Sequence, residues 1–290
     1  MSRPLRIDFH VHITSPDVIA RAGEYAKKDE YFRLLASSPK NRYATAEDAL
    51  EEMVANNVDR AVVFGFAFRD MGLCREANDY VMEAVRRYPD RLIGFACLNP
   101  LARGIENEID RCLARGIRGV GELFPQGQGF EIDNQDHVRE LAGLCRERNL
   151  PVLLHTNEPV GHYYPGKTGA CVREACSFAQ NNRGLTVIFA HWGGGLCFYE
   201  LMPELRDALV DVFYDTAATP FLYSKRIYDA IKAAGLVHKV LLGSDYPLLS
   251  PGRYMREMEQ TGLTPYERDS IQGGNAVALL ERVSGRASVV

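Results

Sequence analysis

Eight short apolar runs, each followed by a longer segment of helical period, leave this chain few ways to fold. The runs are "LRIDFHV", "RAVVFGF", "RLIGFAC", "IRGVGEL", "PVLLHT", "LTVIFAH", "DVFYDTA" and "KVLLGSD". Between them lie helix candidates: "TAEDALEEMVANN", "LCREANDYVMEAVRRY", "ARGIENEIDRCLARG", "NQDHVRELAGLCRER", "KTGACVREACSFAQNN", "FYELMPELRDAL" and "SKRIYDAIKAAG". Thr45 with Asp48 three residues on, Gly116 and Gly235 near helix ends, and Pro89 just past one supply start and stop signals. Strands apolar throughout, each followed by a crossover helix, belong to a parallel sheet covered by helices. Eight such units predict a (β/α)8 barrel of the TIM type, with a doubly wound open sheet as the second choice. No proline- or serine-rich linker divides the chain, so residues 1–290 are expected to form one domain. The longest segment outside the rhythm, about residues 13–46, is a candidate lid over one end of the barrel.

At 290 residues the chain is long enough for such a core, and its net charge of −4 is well mixed in sign. That balance argues against a nucleic-acid or anionic-membrane partner, each of which favours an excess of Lys and Arg. No stretch of about 18 apolar residues occurs, and "MSRPLRIDFHVHI" does not resemble a signal peptide. Seven scattered cysteines, mostly in apolar surroundings, fit reduced, buried thiols. A cytoplasmic protein acting on a small molecule is the expectation.

The interior of a barrel has no use for charge, so polar residues at strand ends are informative. His10 and His12 end the first run, Glu122 the fourth, His155 the fifth, His191 the sixth and Asp245 the eighth. All six fall at C-terminal ends, the face where barrel enzymes assemble their sites. In "HVH" the two imidazoles share one side of a strand while Val11 faces away, which suits a metal ion. A lone buried histidine is more often a hydrogen-bonded core residue, but six such groups together favour a ligand set. His137 lies in a charged helical segment and His238 at the opposite end of the barrel, so both are expected to be solvated or structural. Asp8 is a candidate for orienting a histidine, or for a salt bridge near the barrel floor. Asp215 and Asn99 are candidates for lining the seventh and third strand ends.

The segments "DFHVHI", "LLHTNEP", "FAHWGGG", "LLGSDYPLL" and "LTPYERDSIQGGNAVALLERV" resemble the amidohydrolase superfamily. The nearest branch is the amidohydrolase-related family that includes aminocarboxymuconate-semialdehyde decarboxylase, resorcylate-type decarboxylases and several lactonases. The resemblance spans nearly the whole chain. It implies a divalent metal held by His10, His12, His155 and Asp245, with His191 as a ligand of a second metal or an acid/base group. Zinc is expected first, with manganese, iron, cobalt or nickel open, and one or two ions per chain. Glu122 departs from many decarboxylases of the branch: "GVGEL" is similar to the "GEIGL" of TatD-like metal hydrolases, where the glutamate bridges two metals. A binuclear site with Glu122 shared between the two metals is therefore the expectation, with an ion pair or a substrate contact as the alternative for Glu122. A homodimer is compatible with the resemblance.

A metal lowers the pKa of its bound water and polarises a carbonyl, so hydrolysis of an ester, lactone, amide or phosphoester is the leading expectation. In that scheme Asp245 takes the proton of the attacking water and His191 steadies the developing oxyanion. The alternative is non-oxidative decarboxylation of a small carboxylic acid in the same site. Residues 161–168, "GHYYPGKT", match a phosphate-loop pattern, but the variable positions are bulky and Pro165 has no N–H to offer. A loop over the barrel mouth is the better account, making Glu158, His162, Tyr164 and Lys167 candidate substrate contacts beside Arg33, Lys40 and Arg42 of the lid. "HWGGGL" offers either backbone N–H groups for an anion or a tight turn. A barrel with purely structural metals and a nucleotide-dependent enzyme are the remaining alternatives.

Overall fold

The computed structural model describes residues 3–164, 166–167 and 171–285. Pro165 and Thr168 of the phosphate-loop pattern lie outside these residues, as do the ends of the expected domain. Eight parallel strands run in sequence order: β1 (Ile7–His12), β2 (Arg60–Phe64), β3 (Leu92–Ala96), β4 (Gly119–Leu123), β5 (Val152–Leu154), β6 (Val187–Phe189), β7 (Val212–Asp215) and β8 (Val240–Leu241). The barrel closes where Phe9 N donates to Leu242 O and His12 N to Tyr246 O, with a parallel bridge between Val11 and Tyr246. Phe9, Phe64, Phe95, Leu153, Ile188 and Leu241 fill the interior, and Phe9 meets Phe95 edge-on at 5.7 Å.

The crossover helices form where the apolar spacing predicts them. Helix Ala46–Ala55 begins with a capping box in which Thr45 and Asp48 exchange bonds, and Met71–Arg87 buries Leu73, Cys74, Asn78, Val81, Met82 and Ala84. Helices Ile105–Leu113, Gln135–Glu147, Val172–Asn181 and Ile227–Ala233 continue the series. The sixth unit differs from expectation. Tight turns occupy His191–Leu201, and only the short helix Pro203–Arg206 forms in the "FYELMPELRDAL" segment. Five consecutive residues, His191 to Gly195, have φ between 57° and 97°, which no right-handed helix contains.

The segment expected to be a loop carries three short helices, Pro16–Ala20, Ala22–Lys28 and Glu30–Ala36. Val18, Tyr25 and Phe32 pack with Phe68, Leu73 and Cys74, anchoring it to the β2 side. Tyr31 meets Phe124 edge-on at 4.9 Å at the end of β4, and the Lys40 ammonium lies 4.8 Å from the centre of the Phe221 ring beyond β7. Among the described residues, no helix is long and apolar enough to cross a membrane.

Candidate metal centre

Local breaks in regularity aim the polar side chains at one another. The β1–β2 register shifts between Asp8 and Val11: Phe9 packs in the interior and Val11 against the outer helices, while the rings of His10 and His12 lie 5.1 and 4.8 Å from that of Phe64. A second shift, between Val120 and Leu123, brackets Glu122. There Gly121 has φ 129°, and a β-carbon would overlap the Leu153 carbonyl oxygen. His155 follows β5, His191 opens the left-handed run after β6, and Asp245 follows β8 with φ 62°. Positive φ on non-glycine residues is strained, and two of the six examples among the described residues are His191 and Asp245.

The six polar residues converge. His10 Nε2 lies 3.3 Å from His12 Nε2, 3.5 Å from Glu122 Oε2 and 3.6 Å from Asp245 Oδ1. His12 Nε2 is 3.5 Å from the same Glu122 oxygen and 3.3 Å from the same Asp245 oxygen. The other Glu122 oxygen, Oε1, is 3.0 Å from His155 Nδ1 and 3.7 Å from His191 Nε2, and those two nitrogens are 3.2 Å apart. Glu122 thus faces two histidine pairs, one through each oxygen.

The outer hydrogen bonds determine which ring nitrogens carry lone pairs. His10 Nδ1 donates to Asp215 Oδ2 at 2.8 Å and His191 Nδ1 to the Ala217 carbonyl at 3.0 Å. His155 Nε2 donates to the Gly166 carbonyl at 3.1 Å. In their neutral forms His10 Nε2, His155 Nδ1 and His191 Nε2 therefore turn lone pairs toward carboxylate oxygens. Only positive charge, as protons or a cation, reconciles that crowding. Five of the six distances among His10 Nε2, His12 Nε2, Glu122 Oε2 and Asp245 Oδ1 are 3.3–3.6 Å. Ligands about 2.0–2.2 Å from a shared tetrahedral centre are separated by such lengths. The donor set fits a divalent cation.

Without a cation, protons take that place. Burial alone would lower the His10 pKa, but the Glu122 and Asp215 carboxylates hold it well above the usual histidine value. His155 is likewise raised, with Glu122 overcoming its burial. Burial would raise Glu122 and Asp245, yet the surrounding imidazoles hold Glu122 well below the ordinary range and bring Asp245 to about 2.

The remaining candidates lie at varied distances from this cluster. Tyr164 Oη contacts Asn157 Oδ1 at 3.3 Å and Glu158 Oε2 at 3.5 Å, on the loop next to His155. The Lys167 ammonium donates to the Val160 and His162 carbonyls, and the His162 side chain is exposed, so these two shape the loop. The exposed Arg33 pairs with Glu30 at 3.6 Å, and the exposed Arg42 donates to the Pro39 and Asn41 carbonyls. Among the described residues, those bonds stay on the lid segment. Asn99 is buried and gives its amide protons to the Arg69 and Gln128 carbonyls, a loop tie rather than a mouth contact. Asp8 accepts from Ser244 N and His10 N beneath the site, and burial raises its pKa to about 6. Asp215 has a larger part than its place in the sequence indicates: besides the His10 ring it accepts from the backbone N–H groups of His191 and Ala217. Asn157 lies inside the segment "LLHTNEP" but is not singled out by it, and Tyr223 carries no motif signal.

A family model described as amidohydrolase matches residues 7–282. Among curated proteins, the chain is 24% identical over 281 residues to a gamma-resorcylate decarboxylase of Polaromonas sp. strain JS666, covering 81% of this chain and 84% of that one. The fold resembles 5-carboxyvanillate decarboxylase from Sphingomonas paucimobilis, with a TM-score of 0.76 at 14% identity over 96% of this chain and 99% of that one. It is also similar to a dihydroxybenzoic acid decarboxylase of Polaromonas sp. solved with manganese and the inhibitor 2-nitroresorcinol, with a TM-score of 0.71 at 18% identity over 98% of each chain. These relatives are decarboxylases, which overturns the expectation of ester, lactone, amide or phosphoester hydrolysis. The metal named among them is manganese, so zinc gains no support while a divalent cation does. Matched by the family model over nearly its whole length, the chain belongs to the amidohydrolase family and is an enzyme of that superfamily.

Proposed function

We propose that the chain is a divalent-metal-dependent decarboxylase that releases carbon dioxide from a small aromatic carboxylic acid. The observation that carries this reading is the convergence of imidazole lone pairs on the Glu122 and Asp245 carboxylates at the barrel mouth. The similarity to decarboxylases supports this choice of reaction. His10, His12, Glu122 and Asp245 would hold the cation, with manganese the first to try. When bound, it supplies a fixed positive charge that anchors substrate oxygens.

The chain's own contribution is a proton. His191 Nε2 and His155 Nδ1 are 3.2 Å apart beside Glu122 Oε1, so a proton held there satisfies both lone pairs. As the bond from ring carbon to carboxylate breaks, its electron pair stays on the ring carbon, which takes the proton from His191. Carbon dioxide leaves, and solvent restores the proton. Phe64 beside His10 and His12, and Phe124 at 4.5 Å from the His155 ring, give the site apolar walls.

The test combines elemental analysis of protein purified without chelator with carbon dioxide release from a panel of hydroxybenzoic acids. About one divalent ion per chain is expected, lost in His12→Ala. In His191→Asn the ion is expected to remain while kcat falls by roughly 10²–10⁴-fold. Two ions per chain would remove the proton role from His191, and no carbon dioxide from folded, metal-loaded protein would sink the decarboxylase reading.

A further inference from the structure

Strand β8 has only two residues, yet the chain just beyond it carries Asp245 in a left-handed conformation, φ 62°, with Oδ1 turned toward His10 and His12. A non-glycine residue stays in that region only where its surroundings over-determine it. The main-chain groups of residues 243–246 are held as follows. Gly243 N donates to Thr216 Oγ1 at 3.0 Å, and the same hydroxyl donates to the Gly243 carbonyl at 2.9 Å. Ser244 N donates to Asp8 Oδ1 at 2.9 Å, and the Ser244 carbonyl accepts from the Tyr254 hydroxyl at 2.7 Å. Asp245 N donates to the His10 carbonyl at 3.0 Å, and its own carbonyl accepts from Leu248 N at 2.8 Å. Tyr246 N donates to Ser244 Oγ at 3.0 Å, and its carbonyl accepts from His12 N at 2.8 Å. Every main-chain donor and acceptor of the segment is therefore paired.

A regular strand would draw these bonds from neighbouring backbones. Here Thr216, Asp8, Ser244 and Tyr254 supply most of them, and all four side chains are buried. Thr216 follows β7, Asp8 lies on β1 and Tyr254 on helix Pro251–Glu259, so separate elements grip one turn. Packing is as close as the bonding: a β-carbon on Gly243 would lie 2.8 Å from His10 Cβ and 3.2 Å from Asp215 Cβ. The segment is wedged between His10 and the carboxylate that accepts its Nδ1 proton. The Thr216 and Tyr254 hydroxyls bond to the two residues before Asp245, not to its carboxylate. Without those bonds the strain at Asp245 relaxes by rotation toward negative φ, which turns its carboxylate away from the histidine pair.

We propose that Thr216 and Tyr254 are positioning residues for the metal centre: through Gly243 and Ser244 they hold Asp245 in its left-handed conformation and so set how tightly the cation is bound. This rests on the reading of Asp245 as a metal ligand and extends it to side chains outside the cluster.

The experiment measures manganese binding by calorimetry, and the electron paramagnetic resonance spectrum of the bound ion, at a temperature where circular dichroism shows each variant folded. Thr216→Val and Tyr254→Phe keep the side-chain shape and remove one hydroxyl each, so a folding failure of one leaves the other. Each is expected to weaken manganese binding at least about tenfold and to alter the spectrum, while Thr216→Ser keeps the parent affinity. Tyr214→Phe, which removes a buried hydroxyl bonded to Glu200 at 2.8 Å, is expected to keep it as well. In an Asp245→Ala background there is no carboxylate to place, so Tyr254→Phe should change the residual affinity by less than about twofold. Parent affinity in both hydroxyl variants, or an equal loss with and without Asp245, overturns the proposal. A parent that binds no manganese defeats the metal-centre reading and the proposal with it. Manganese bound by the parent and weakened in both variants supports the proposal even where no carbon dioxide is released, an outcome that defeats the decarboxylase reading alone.

Discussion

Asp215 shows how much of a metal site resides in residues that never touch the ion. One of its oxygens receives the His10 Nδ1 proton at 2.8 Å, and the other receives the backbone N–H groups of His191 and Ala217 at 2.9 and 3.0 Å. It therefore sets a tautomer and pins the start of the left-handed run. Asp215→Asn is expected to weaken manganese binding by roughly 10–100-fold, as calorimetry would read, while the cluster's other donors remain in place. The same cluster dictates a pH dependence. His10, one of the proposed ligands, has a raised pKa in the metal-free protein, so a cation entering near neutral pH displaces its proton. Apparent affinity should rise with pH until that imidazole is neutral, and titrations in buffers of different ionisation enthalpy should report proton release. Metal affinity independent of pH would contradict the lone-pair geometry. The six polar positions are legible in the sequence because charge at strand ends contrasts with apolar strands. The nitrogen that each ring offers is not, since it depends on distant acceptors such as the Ala217 carbonyl.

The same contrast holds for the elements. Apolar runs of about five residues with crossover helices between them identify all eight strands, because burial on both faces leaves no polar alternation to confuse the pattern. The sixth unit escapes that logic. Its apolar residues look helical, but backbone geometry after β6 is set by His191 and the glycines, and the chain needs the turn to seat His191. Gly194 has φ 61°, and a β-carbon there would overlap the Asn157 carbonyl oxygen. Gly194→Ala is expected to cost at least about 2 kcal/mol in denaturant midpoint measurements, with kcat reduced and the ion retained as His191 shifts. Beyond that turn, the Lys239 ammonium donates to both Glu200 oxygens and to the Leu209 carbonyl, with Tyr214 Oη donating to Glu200 as well. Lys239 and Glu200 are both buried, so Glu200→Ala leaves an uncompensated charge and should destabilise the protein by about 3–5 kcal/mol.

Across the whole molecule, the candidate ligands come from both ends of the chain. His10 and His12 belong to the first strand, Asp245 follows the last, and Glu122 comes from the fourth, so one ion would join the barrel's closing seam to its far side. That seam is lightly built: β8 has two residues, and closure relies on bonds such as Asp245 N to the His10 carbonyl at 3.0 Å. The segment after β1 reaches from Tyr31 at Phe124 to Lys40 at Phe221, two contacts that its sequence does not foretell. A ligand that binds only the folded state stabilises it by about 2.7 kcal/mol at 100 times its dissociation constant. For a chain of this size each kcal/mol raises the midpoint by roughly 2 °C, so saturating manganese should raise Tm by about 5 °C and chelator should reverse the rise. His12→Ala should abolish the shift. Variants of the segment after β1 such as Tyr31→Ala should retain it, because Tyr31 meets Phe124 and is not among the proposed ligands. A shift of equal size in parent and His12→Ala would place the cation elsewhere on the molecule and detach the site from the seam it is proposed to close.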